Sequence, residues 1–255
     1  MNSRAFSTLQ RSSITKLIFQ AKPIRIHRGY TASLLNNIRK QQFPPNIKYV
    51  HNSPKPVPAL SLPEQILKYN KEWAKNKTKA DSSYFENMTA VQTPEILWIG
   101  CSDSRVCSDV LTGSNFGRVF TLRNVGNSLS TTDTNSLAVI QFAVETLKIK
   151  HIVIVGHTFC GAMEAAFKYN SLNGPISDWI KPIADLYNKN KPTIDALPTH
   201  KQQNQALSEL NVKRNVDIIN SLDIIKKTKK SGKELNIHGW IYDIENGSLQ
   251  DLKVS

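Results

Sequence analysis

Three short apolar runs constrain this chain more than any other feature: "EILWIGCS" (95–102), "RVFTLRNV" (118–125) and "HIVIVGH" (151–157). Each is rich in Val, Ile or Leu and bounded by Gly, Ser, Asn or His, the pattern of strands covered on both faces. Between the second and third runs, "TTDTNSLAVIQFAVETLKIK" places a Thr/Asp cap before residues that are apolar all round from Leu137 to Leu147, which predicts a buried helix. Strand, helix, strand is the unit of a parallel sheet with a right-handed crossover. The closing "ELNIHGWIYDIENGSLQDLKV" alternates and carries Asn246-Gly247, so it predicts a hairpin at the sheet edge. The expected class is α/β: a mostly parallel central sheet, about four parallel strands plus a C-terminal antiparallel edge, flanked by helices.

The remaining elements follow from spacing. Ser61 with Glu64 three residues later is a capping-box signature, Pro63 fits a first turn, and Ile66, Leu67, Tyr69 and Trp73 form an apolar stripe. That helix is expected to stop before the 78–81 region, with a second short helix around Tyr84 to Met88. "GAMEAAFKYN" reads as a helix starting directly after the third strand, and "ISDWIKPIADLYNKN" as an amphipathic one followed by a polar linker. "ALSELNVKRNVDIINSLDIIKKTKK" is helical by the spacing of Leu210, Val212, Val216 and Ile219.

The formal charge of +13 suggests a polyanionic partner only if it is spread over the fold. It is not. Ten Lys and Arg precede Glu64, the first acidic residue, and the body after it is close to balanced; nucleic acid is therefore not an expected partner. The acid-free leader is rich in Arg and Ser and, wound as a helix, sets Arg4, Arg11 and Lys22 opposite Phe6, Leu9 and Leu17. It lacks the apolar core of a secretory signal, and no stretch is long enough to insert in a membrane. We read residues 1–40 as a mitochondrial transit peptide, with a disordered basic tail as the other reading, 41–60 as a Pro-rich linker, and 61–255 as the folded domain. The expected location is the mitochondrial matrix, with the cytoplasm as the alternative.

Three cysteines, odd in number and widely spaced, argue against a disulfide framework. Cys101 ends one predicted strand and His157 another, and Cys160 follows His157 on the first turn of the next helix. With Asp103 they offer two thiolates, an imidazole and a carboxylate, a donor set suited to zinc. Arg105, two places from Asp103, can hold that carboxylate in a bidentate ion pair instead, so Asp103 either closes the fourth position or leaves it to water. Singly, each of these short patterns is more often structural; their placement at the ends of two strands gives them weight. Cys107 is read as a packing residue or a minor redox liability, and His27, His51, His151, His200 and His238 have no comparable cluster.

"CSDSR", "RNV", "GHTFCGA" and "HGWIYD", in this order from about Leu62 onward, resemble the β-class carbonic anhydrases, with a fungal look. The resemblance implies one zinc per chain on Cys101, His157 and Cys160, with Asp103 and Arg105 as the catalytic dyad that opens or closes the fourth position. It implies reversible hydration of carbon dioxide to bicarbonate, with Gln92 donating to substrate, Phe120, Val125 and Phe142 walling an apolar pocket, and Gly161 offering backbone beside Cys160. It further implies a homodimer or higher homo-oligomer, whose N-terminal helices pack on the partner and whose second subunit completes the wall. Phe142 stands where plant relatives carry tyrosine, and Ala162 where a second glycine is usual. Some bacterial relatives hold a second bicarbonate with a Trp, an Arg and a Tyr; Trp98 and Arg123 match, but the tyrosine position reads as Asp217, so that site is expected to be absent. Two alternatives share these motifs: an enzyme hydrating a sulfur analogue such as carbon disulfide, and a non-catalytic zinc protein or carbon dioxide sensor.

Overall fold

The sheet runs in the order β2-β1-β3-β4-β5 in the computed structural model, which describes residues 61–254. The leader and linker expected over 1–60 lie outside the described residues. The strands are β1 (Ile96–Cys101), β2 (Val119–Asn124), β3 (His151–His157), β4 (Asn236–Asp243) and β5 (Ser248–Asp251). The first four are mutually parallel and β5 is antiparallel to β4, as the class assignment expects. Chain connections from β1 lead outward to β2, and those from β3 lead the other way to β4. The crevice beyond the carboxyl ends of β1 and β3 is thus the switch point where open α/β sheets bind ligands.

The chain divides into two compact units, ending and beginning at Glu72 and Trp73. Helix α1 (Leu62–Ala80) opens in the first, and Glu64 makes the returning half of the expected capping box: its Oε2 accepts from the Ser61 amide at 2.7 Å and from the Ser61 hydroxyl at 2.8 Å. The helix runs through Thr78, whose hydroxyl bonds back to the Ala74 carbonyl rather than ending it. The second short helix expected near Tyr84 is only a 3₁₀ turn, Glu86–Met88. No residue of α1 is buried, and Ile66, Leu67 and Tyr69 lie exposed.

In the second unit, α2 (Ser108–Thr112) joins β1 to β2, and α3 (Thr134–Gln141) joins β2 to β3. Asp133 caps α3 by accepting from the Asn135 and Ser136 amides, as the Thr/Asp signal predicts. The helix then widens into a π turn, Phe142–Thr146, and is not buried all round: Ile140, Ala143 and Val144 face the core while Phe142 is 44 % exposed. After β3 come α4 (Gly161–Phe167), α5 (Gly174–Asp195), α6 (His200–Ser221) and α7 (Asp223–Lys230). Helix α5 continues through Pro182 and Pro192 into the expected linker, held by its buried face of Ile180, Ile183, Ala184 and Ile194. The single helix expected over 206–230 breaks at Leu222, whose ψ of 134° is extended, into α6 and α7. The β4–β5 connection spans residues 244–247, with Gly247 alone of its residues at positive φ (75°), rather than a two-residue Asn-Gly turn.

One sheet face presents Leu97, Ile99, Leu122, Ile152, Ile154, Ile237 and Ile241 to Ile140 and Val144, to Val212, Val216 and Ile219 of α6, and to Ile225 of α7. The opposite face carries Trp98, Val153 and Val155, with Trp240, Tyr242 and Val106 against them. Helix α6 comes close because β3 and β4 are notched beneath it: a Cβ on Gly156 would sit 2.8 Å from Val212 Cγ2, and one on Gly239 2.9 Å from Val212 Cγ1. None of the described helices is long and apolar enough to cross a membrane.

Candidate metal centre

Cys101 is the last residue of β1, His157 the last of β3, and Cys160 the N-cap of α4. The three are buried, and their ligand atoms lie within 4.8 Å of one another. The His157 ring is fixed in one tautomer: Nδ1 lies 2.9 Å from the Thr158 carbonyl, an acceptor only, so Nδ1 is the donor. That leaves the Nε2 lone pair buried with no partner, a costly arrangement unless a cation takes it. The sulfurs make the same demand. The Cys101 thiol is pulled down to about 4, chiefly by its hydrogen bond to Cys160 and against burial, while that bond and burial push Cys160 well up. The pair thus gives up one proton readily and holds the other, which a dication between the sulfurs would release. Two thiolates and a neutral imidazole fit zinc.

Asp103 lies beside the triad in the grip of Arg105. Nε donates to Oδ1 at 2.9 Å, Nη2 to Oδ2 at 2.7 Å, and the Arg105 amide to Oδ1 at 2.9 Å. These bonds hold the carboxyl down at about 2. Oδ2 is 3.9 Å from His157 Nε2, so the carboxylate faces the ligands while resting on the guanidinium. Arg123 reaches across from β2 and donates to the carbonyls of Cys101 (2.9 Å) and Asp103 (2.7 Å). It fixes the backbone that carries both side chains.

The turn between His157, at the end of β3, and Cys160 is strained and held from several sides. Phe159 has φ of 56°, the left-handed region that a ring-bearing residue rarely adopts. Its carbonyl accepts from Arg105 Nη2 at 3.3 Å. From α6, Asn204 takes the Cys160 amide on Oδ1 (3.0 Å) and returns Nδ2 to the Cys160 carbonyl (3.1 Å), and Ser208 donates to the His157 carbonyl at 3.1 Å. One and two turns further, Asn211 donates to Gly126 O and Asn215 to Asn127 O. All four side chains are buried. Reading α6 by its apolar residues alone misses them; the signal available is four small polar residues spaced 4, 3 and 4, which is one helix face.

The proposed substrate residues divide by their place along the strands. Val125 directly follows Asn124, which pairs with Cys101, and Gly161 opens α4 beside Cys160 with nothing within 4 Å of an added Cβ. Phe120 and Phe142 form a ring pair at 5.9 Å, but Phe120 pairs with Leu97, about 13 Å back along the strands. Gln92, exposed, precedes the opposite end of β1 from Cys101. Within one chain, Gln92, Phe120 and Phe142 therefore do not meet the metal ligands.

The remaining candidates also find their places. Cys107 is exposed rather than packed. His151 and His238 pair with each other at 3.2 Å at the amino end of the sheet. Asp217 does not approach Trp98: it is exposed on α6, which covers the other sheet face. The tyrosine that shares the Trp98 face is Tyr242, so the charge argument against a second anion site falls.

His200, at the start of α6, donates to Glu164 on α4 at 2.8 Å, and that bond raises its pKa. The raised folded value means that this contribution is complete below the unfolded pKa and fades as pH rises through the folded one. His200→Ala is expected to lower the melting temperature at about pH 5.5 and to leave it unchanged at about pH 9; equal losses at both would refute the pairing.

Buried thiols and imidazole converging at the switch point of a parallel sheet define a metal-binding α/β protein. The carbonic anhydrase family model matches residues 96–249. A carbonic anhydrase of Emericella nidulans is 35% identical over 191 residues, 75% of this chain and 83% of that one. Among solved structures, one of two tetrameric β-carbonic anhydrases from Sordaria macrospora superposes with a TM-score of 0.72 at 34% identity, covering 74% of this chain and 96% of that one. A β-carbonic anhydrase of Aspergillus fumigatus gives 0.71 at 35%, covering 75% and 91%. The chain belongs to the β-class carbonic anhydrases, of the fungal type.

Proposed function

We propose that this protein hydrates carbon dioxide reversibly to bicarbonate and a proton, at one zinc held by Cys101, His157 and Cys160. The observation that carries the reading is the convergence of those three buried ligand atoms beside an aspartate already engaged by arginine. Zinc supplies a bound water that loses a proton near neutral pH. The chain supplies the rest. With zinc bound, Arg105 would hold Asp103 back from the ligand atoms, and the ionised Asp103 would face the metal site as a hydrogen-bond acceptor that orients water there toward substrate. Val125 and Gly161 bound the near side of the pocket. Gln92, Phe120 and Phe142, too far along the strands to reach their own centre, serve a partner's, which makes the dimer the smallest complete unit. The exposed apolar stripe of α1 supports the same assembly, and the Sordaria relatives are tetrameric.

The named relatives favour carbon dioxide over a sulfur analogue as substrate. The acid-free leader supports import into the mitochondrial matrix, where bicarbonate feeds carboxylations, and an Arabidopsis relative, 29% identical over 67% of this chain, is a mitochondrial enzyme by name. Stopped-flow hydration of carbon dioxide by the chain lacking residues 1–60, with metal analysis, tests the activity. One zinc per chain with no hydration between about pH 7 and 9 would overturn it. Asp103→Asn is expected to keep full zinc and lose about 100-fold or more in rate, the scale of a positioned proton acceptor; a loss of zinc in proportion to rate would place Asp103 among the permanent ligands instead.

A further inference from the structure

Among the described residues, a chain of side chains outside the ligands and their immediate neighbours leads from solvent to Cys160. His200 donates to Glu164 Oε2 at 2.8 Å; Glu164 Oε1 accepts from Asn204 Nδ2 at 2.8 Å; and Asn204 closes a two-bond ring with the peptide of Cys160, accepting from its amide at 3.0 Å and donating to its carbonyl at 3.1 Å. Asn204 is 1 % exposed. We propose that Asn204 is a positioning residue for the zinc ligand Cys160, oriented by Glu164 and anchored at the surface by His200. The inference rests on the reading of Cys160 as a ligand.

The chemistry excludes a simpler role for this chain. An amide that donates to a backbone carbonyl has no proton to pass on, so the series is not a route for product protons. What it carries is orientation. A carboxamide can flip its oxygen and nitrogen with little change in shape, and here Glu164, an acceptor only, allows one of the two arrangements. In that arrangement Oδ1 must face the Cys160 amide. The need for such a hold is local: Cys160 follows Phe159, whose φ of 56° persists only where the surroundings over-determine it. Without the carboxamide, relaxation of that turn would swing the Cys160 sulfur away from Cys101 and His157. The partner of a ligand's backbone thereby does for cysteine what a carboxylate does for a metal-bound histidine ring.

The test uses the full chain and zinc itself, with a chromophoric chelator as competitor, and cobalt(II) substitution to read the thiolate-to-metal absorption bands. Asn204→Ala is expected to weaken zinc binding about 10- to 100-fold, as loss of an outer partner of a ligand does, and to shift the cobalt bands. N204D keeps an acceptor for the Cys160 amide but sets a carboxylate oxygen against the Cys160 carbonyl and Glu164. It should be as weak as N204A, and adding E164Q should recover part of the loss by returning a donor to face it. Lowered thermal stability with zinc affinity within about twofold of the parent and unchanged cobalt bands would overturn the proposal, leaving Asn204 as a buried polar group of the core. If N204A does not fold, E164A at the surface carries both readouts, with a several-fold loss expected and no change overturning the idea. A parent chain that binds zinc without hydrating carbon dioxide would sink the proposed activity and leave these two measurements still reading the position of Cys160.

Discussion

Cys160→Ser is expected to abolish hydration of carbon dioxide, to below about a thousandth of the parental rate, with zinc occupancy reduced to a small fraction of one per chain. The substitution is nearly isosteric, and the fold around it should remain. Serine is a better helix N-cap than cysteine, the Asn204 bonds go to the peptide and not the side chain, and the core cluster beneath the site loses only one sulfur. What is lost is a soft anionic donor: the hydroxyl does not ionise where the thiol would, and zinc loses one of its two thiolates. The melting temperature of metal-free protein should therefore move by no more than about 2 °C, a shift of the order of 1 kcal/mol or less. Metal analysis beside stopped-flow rates and thermal melts checks the claim. Full zinc occupancy in the variant would remove Cys160 from the ligand set.

Gly156→Val should destabilise the fold strongly while leaving every ligand side chain in place. Its new Cβ would lie 2.8 Å from Val212 Cγ2, 2.9 Å from Ile241 Cδ1 and 3.4 Å from the Ser208 carbonyl. Val212 and Ser208 belong to α6, Val212 and Ile241 lie in a cluster whose members are nearly all fully buried, and Ser208 is 1 % exposed. Overpacking of this kind costs about 3 kcal/mol, which for a domain of this size lowers the melting temperature by about 6 to 12 °C. The helix that must retreat carries Asn204 and Ser208, so zinc affinity should fall as well. Thermal melts and urea titrations decide it; a melting temperature within about 2 °C of the parent would mean that α6 docks more loosely than its packing implies.

The ligands were legible because the chemistry sits at strand ends, and strand ends are marked by abrupt changes in the sequence. "HIVIVGH" matches β3 residue for residue, and the bond from the Ser61 amide to Glu64 and the cap at Asp133 fall where short-range hydrogen bonding requires. Helix α6 was half legible. Its apolar spacing located it, but Asn204, Ser208, Asn211 and Asn215 satisfy backbone groups of loops some 40 to 90 residues away, and periodicity of hydropathy carries no information about such partners. Phe142 departs from the expected all-round burial of its helix for a related reason: hydropathy puts an apolar residue inside, while a single chain leaves it on an open surface. The resemblance matches Asp217 to the tyrosine position beside Trp98, but Asp217 lies exposed on α6. Alternation within "HGWIYD" was the better guide, since it puts Trp240 and Tyr242 on one sheet face.

The order in which the sheet is sewn together has a consequence for how the metal acts on folding. His157 and Cys160 are neighbours in sequence and can be brought together by one tight turn, but Cys101 reaches them only after Ile96 has found His151 across a long excursion through β2 and α3. Pairings of that separation form late and slowly. A bidentate half-site can thus trap metal early, whereas the third ligand, the Cys101 thiolate, arrives with the closed sheet. Zinc should accordingly slow unfolding far more than it speeds refolding, so that the holoprotein owes its persistence to a high barrier out of the native state.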